Sequence, residues 1–165
     1  MSLIRLKQQV SSLLKNNQLN PARKLLYKIV KQDPQDIESL LNLGSVCGAL
    51  NSYSEAEDSF RQALHINSNI PGAWLNLGYA LSIQNRHTEA ADCFRNAIRI
   101  KPDFVGAYHY LGNTLREIDR HEEAISIFRK ALSIQPENGP VYYDLGNAYK
   151  ARGEMDKARD CFRQS

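Results

Sequence analysis

Residues 71–102 read PGAWLNLGYALSIQNRHTEAADCFRNAIRIKP, and this stretch decides the fold. Trp74, Leu77 and Leu81 recur at steps of three and four, the spacing of one helical face. Pro71 suits the first turn of that helix, where no amide donor is lost. Gly78 sits among these apolar residues at some cost in helix propensity, and in return it lets a partner helix approach closely. Gln84-Asn85-Arg86 breaks the period. Ala90, Phe94 and Ala97 then line one face of a second helix. Pro102 ends it, because Lys101 before the proline is pushed off helical angles. The stretch predicts two helices that nest, glycine against alanines, with the aromatic filling the space beside them.

The same pattern runs through the chain at a fixed period. The glycines of the Leu-Gly pairs fall at 44, 78, 112 and 146, each 34 residues after the last. Ala56, Ala90, Ala124 and Ala158 keep that phase, as do Phe60, Phe94, Phe128 and Phe162. Ala63, Ala97 and Ala131 follow them. Pro34, Pro102 and Pro136 close the period, with Ser68 in the odd slot. Pro140 repeats the first-turn proline of Pro71. Asn20-Pro21, Ser52-x-x-Glu55 and Asp119-x-x-Glu122 are the expected cap signals of second helices. One such pair cannot bury its face alone, but stacked pairs can.

On these residues the chain resembles the tetratricopeptide repeat, a helix-turn-helix unit of this period. The resemblance implies an all-α, right-handed superhelical solenoid of antiparallel helix pairs. It reads as a single domain over 1–165, with a divergent repeat at 3–36, then 37–70, 71–104 and 105–138, and an incomplete one at 139–165. In the first repeat Ala22 and Pro34 fit, while Val10 replaces the glycine and Leu26 the aromatic. The fifth stops at DKARDCFRQS, so Tyr142, Leu145, Tyr149 and Phe162 are expected partly to face nothing. The chain therefore reads as the N-terminal part of a longer protein. The alternative is self-association through the uncapped last repeat.

Composition narrows the function classes. The chain has 165 residues, 42% of them apolar, enough for a sizeable core. A net charge of +3 is too weak to announce a nucleic-acid partner. Cys47, Cys93 and Cys161 are scattered and form no CxxC pair, which suits small buried residues in a reducing compartment. Arg5, Lys7 and Gln8 interrupt the N-terminal apolar residues, so no signal peptide or membrane span is read there and a cytoplasmic location is expected. His87 and His121 lie one period apart, too far to share a metal. The acidic residues around Glu55 and Glu122 fall in first turns of second helices, where they complement the helix dipole. With no nucleophile elbow, phosphate loop or zinc motif, no metal, cofactor or catalytic residue is expected, and the segment is not read as an enzyme.

The resemblance implies that first helices line a concave face and that ligands lie there. Counted from each repeat glycine, the groove positions are Asn42, Asn76, Tyr110 and Asp144, then Ser45, Tyr79, Asn113 and Asn147. His109 and Tyr143 precede them, and Gly48, Ser82, Arg116 and Lys150 follow one turn on. Asparagine both donates and accepts, so a ladder of amides can hold an extended peptide backbone without reading its sequence. Asn42 and Asn76 look like the asparagine ladder of O-linked N-acetylglucosamine transferase, which stops here after two rungs. A carboxylate clamp of the chaperone-binding kind is disfavoured, because His109 and Tyr143 stand where it needs lysine. The expected function is a protein–protein interaction scaffold holding an extended or helical peptide segment, with no nucleic acid or membrane partner. The alternative is the substrate-recruiting arm of a glycosyl- or sulfotransferase whose catalytic domain lies beyond residue 165. Helical-repeat RNA binding is the remote alternative, since it needs a basic groove.

Overall fold

The computed structural model describes residues 2–165. Ten α-helices follow one another, and no strand occurs among the described residues. They are α1 (Leu3–Lys15), α2 (Leu19–Gln32), α3 (Ile37–Ala49), α4 (Tyr53–Ile66), α5 (Pro71–Ile83), α6 (His87–Ile100), α7 (Val105–Glu117), α8 (His121–Ile134), α9 (Gly139–Ala151) and α10 (Met155–Gln164). The packing divides them into two compact units, one holding α1–α5 and ending at Gln84, the other holding α6–α10 and beginning at Asn85.

Two kinds of joint set the period. After each first helix stands a residue in the left-handed region: Asn17, Asn51, Asn85, Asp119 and Gly153, at φ 53°, 59°, 61°, 58° and 77°. Asn, Asp and Gly are the residues that adopt this conformation at least cost. The next amide then bonds back five residues, Ser52 N–H to the Cys47 carbonyl at 2.8 Å and Arg120 N–H to that of Leu115 at 2.9 Å, closing the helix end as a Schellman turn. After second helices the chain is extended instead, at Asp33, Lys101 and Gln135 before their prolines. Asn67 is extended too, although Ser68 follows it.

The expected caps are corrected. Asp119 does not cap α8; it ends α7 in the left-handed turn, and Arg120 takes the cap position. Ser52 is the N-cap residue of α4 but makes no side-chain cap bond, because its Oγ instead accepts from Arg23 at 3.3 Å. Helix α2 begins at Leu19, so Asn20 and Pro21 lie inside its first turn rather than before it. Among the described residues the one side-chain N-cap is Asn138, whose Oδ1 accepts the Val141 amide at 3.1 Å.

Within a repeat the glycine meets the aromatic. A Cβ built on Gly44 would lie 2.8 Å from the Phe60 ring, and one on Gly146 would lie 2.5 Å from Phe162. Gly112 faces Phe128 in the same way. Phe60, Phe94 and Phe128 are buried, as are the alanines in phase with them. In the first repeat Val10 and Leu26 are both buried. Leucine is smaller than phenylalanine, and the exchange leaves room for the valine.

The last repeat is better covered than expected. Leu145 and Tyr149 are each only 4% exposed. Arg129 and Lys157 lie over the Tyr149 ring, 5.7 and 5.5 Å from its centroid, and Arg129 donates to the Tyr149 hydroxyl at 2.5 Å. Long cationic stems here do the covering that another helix would do. Phe162 stays 36% exposed.

Each unit is curved. The backbones of first helices α3 and α5 touch, as do those of α7 and α9, while those of α2 and α4, α6 and α8, or α8 and α10 do not. The first helices α3 and α5 of one unit, and α7 and α9 of the other, therefore form an inner, concave side, while α1 and α3 do not touch.

Candidate functional site

In unit 1 the concave side carries Asn42 and Ser45 on α3 and Asn76 and Tyr79 on α5. Asn42 is half-buried, while Ser45 and Asn76 are exposed. The Ser45 hydroxyl donates to the Leu41 carbonyl at 2.9 Å, so its own helix satisfies it. Tyr79 is 40% exposed and meets Tyr53 edge-on, with centroids 6.4 Å apart and planes at 68°. Ser45, Asn76 and Tyr79 share a cavity of about 410 Å³ with Gly48 and Tyr53, and Asn42 lies outside it. Tyr53 belongs to α4 and is absent from the expected set. Its signal is an aromatic at the first position of a second helix, where the next two repeats carry His87 and His121.

Unit 2 is organised differently. His109, Asn113 and Arg116 sit one turn apart along α7, and all three turn to Asp144 on α9. His109 Nε2 is 2.6 Å from Asp144 Oδ2, and Asn113 donates to the same oxygen at 2.9 Å. The Arg116 guanidinium is 3.8 Å from Oδ1. Burial pushes the Asp144 carboxyl up, but hydrogen bonds from His109 and Asn113, with the charges of His109 and Arg116, outweigh it and hold the group below the usual carboxylate range. Asn113 Oδ1 and Arg116 Nε are buried without partners. The ladder position at Asn113 is thus engaged inside the protein.

The remaining positions are aromatic or solvated. Tyr110 is 39% exposed and stacks on Phe94, with centroids 5.6 Å apart at 16°. Tyr143 is 56% exposed and lies 5.7 Å from the Phe162 ring. Asn147 is half-buried and Lys150 exposed.

Among the described residues no group of three His, Cys, Asp or Glu side chains is placed to hold a metal ion. All three cysteines are buried, and none is in a disulfide. Burial, with the Glu55 carboxylate beside it, pushes the Cys47 thiol up to about 11. No helix among the described residues is long and apolar enough to cross a membrane.

Comparison with known proteins supports the repeat. Tetratricopeptide repeat models match residues 37–70, 71–104 and 103–165. No curated protein matches the chain. Among solved structures, a crystal structure of MamA superposes with a TM-score of 0.91 at 25% identity, covering 94% of this chain and 91% of that one. MamA 41-end from Desulfovibrio magneticus RS-1 gives 0.93 at 20% identity, covering 98% and 92%. YrrB, described as a TPR protein with an unusual peptide-binding site, gives 0.86 at 21% identity, covering 99% and 84%. The last two likenesses show the fold.

Proposed function

We propose that this chain, which belongs to the tetratricopeptide repeat family and is on that ground an interaction scaffold, binds an extended peptide segment of a protein partner on the concave first helices of either unit, each unit being a contact surface in its own right. One observation carries this reading. Tyr79, Tyr110 and Tyr143 stay 39–56% exposed on first helices whose Leu77, Leu111 and Leu145 are buried. Tyrosine offers a large, stiff contact surface at low entropic cost and keeps a hydroxyl for hydrogen bonding. Beside these rings, Asn76 and Lys150 add exposed polar groups that suit a peptide backbone and its substituents. The reading is a non-catalytic one, resting on family membership.

The test is selection of a random displayed peptide library on the intact chain, followed by titration calorimetry of the enriched peptides. The expected result is binding in roughly the micromolar range. Tyr79→Ser or Tyr143→Ser should weaken it while the helical circular dichroism stays unchanged. Absence of any enriched peptide, or binding indifferent to every concave-side substitution, would overturn the reading.

A further inference from the structure

We infer that the cavity of unit 1 is a pocket for one large uncharged side chain of the bound peptide, an aromatic above all, and that Gly48 is the residue that opens it. The inference rests on the peptide-binding reading and adds a chemistry to one contact.

Gly48 lies near the end of α3, and neither common reason for a glycine applies to it. Its φ is not in the left-handed region; among the described glycines only that of Gly153 is. Nor does close packing require it: a Cβ on Gly48 would meet no atom within 4 Å. Gly44, one turn earlier, has the Phe60 ring 2.8 Å from the same construction. A residue so poor for a helix thus leaves nothing but space. At the same repeat position stand Ser82, Arg116 and Lys150. Where unit 2 sends the Arg116 side chain toward Asp144, unit 1 keeps about 410 Å³ open.

The walls of that space select for chemistry. No Lys, Arg, His, Asp or Glu lines it. A charged side chain entering would lose water and find no counter-ion, while an apolar one loses nothing. Ala56, Phe60 and Ala80 supply apolar wall. Tyr53 and Tyr79 form an edge-to-face pair, an arrangement that a further ring extends favourably. The Tyr53 hydroxyl donates to Oδ1 of Asn51, another residue of the wall, at 2.8 Å, so its polar demand is met within the protein. Asn76 places an amide at the rim, able both to donate to and accept from the peptide backbone beside the inserted side chain.

The experiment uses the intact chain, the peptides enriched from the random library, and the Gly48→Leu variant. A Cβ at this position meets open space and leucine favours the helix over glycine, so the melting temperature should hold or rise. Enriched peptides should share an aromatic or large aliphatic residue at one position. Gly48→Leu should weaken them about tenfold, and alanine at the shared peptide position should cost as much. The two losses should not add, because they remove one contact. If Gly48→Leu fails to fold, Tyr79→Ser reads the same pocket from its other wall. Peptides bound equally well by the wild type and both variants, or enriched for a charged residue at the shared position, would overturn the pocket and leave the scaffold reading standing. Failure of the wild type to bind any library peptide would overturn both.

Discussion

The imidazole of His109 and the carboxylate of Asp144 lie 2.6 Å apart and join α7 to α9, two first helices of successive repeats. With Asn113 and Arg116 on the same carboxylate, Asp144 is the polar tie between these two helices. Asp144→Asn should lower stability by about 1–3 kcal/mol, the usual range for hydrogen bonds to a charged group. Urea unfolding of the variant against the parent measures it. The pH dependence has a fixed sign. The folded carboxyl is held below its unfolded value, so its stabilisation is present above about pH 4 and lost as pH falls through the folded value. The gap between parent and variant should therefore be widest near neutrality and close below that pH. A gap that widens on acidification would contradict the assignment.

Two glycines of first helices should respond oppositely to one methyl group. Gly112→Ala drives a Cβ into the Phe128 ring and should destabilise by about 1–3 kcal/mol, as overpacked cores do. Gly48→Ala meets open space and should stabilise by up to about 1 kcal/mol through helix propensity. Melting temperatures of the two variants, measured side by side, decide the matter; shifts of the same sign would show the nesting to be misread.

The joint after α4 lacks the usual proline but keeps the shape of its neighbours. Asn67 has φ −143° and ψ 104°, near the −128° and 90° of Lys101 before Pro102. The Asn67 side chain accepts the Asn69 amide at 2.9 Å and so shapes the turn by itself. Ser68→Pro should raise stability by about 0.4–1 kcal/mol by restricting the unfolded chain. A fall in melting temperature would mean that the serine amide is needed.

The thiols should be silent in the folded protein. Cys47 is buried and its acidity is weakened to about 11, so at pH 8 almost none of it is thiolate. Cys161 is shifted in the same direction, by burial first and then by Asp160. Ellman's reagent should titrate no Cys47 in the native state and every cysteine after denaturation. Rapid native labelling of Cys47, located by peptide mass, would show that the α3–α4 packing opens.

The repeat was legible because its causes are local. A glycine and an aromatic in phase, and prolines at fixed offsets, name a helix pair before any packing is known. The left-handed residues at 17, 51, 85, 119 and 153 were less legible: only the break at Gln84-Asn85-Arg86 points to one of them, and Asp119 is as good a cap as a turn residue until the backbone decides. The Asp144 cluster was not legible. Its four side chains all fall on expected groove positions, but whether a groove residue faces a ligand or its neighbour depends on the rotation of α9 against α7. Gly48 shows the same limit: an empty space appears in a sequence only as a missing side chain.

Trp74 is the only tryptophan of the chain, and its indole N–H is bonded to the Ser68 carbonyl at 2.8 Å. The optical signature of this protein is therefore local. Tryptophan emission watches the joint that leads into α5, whereas far-ultraviolet dichroism averages over every helix. An unfolding trace followed at both wavelengths compares one hinge with the whole array, and no label has to be attached.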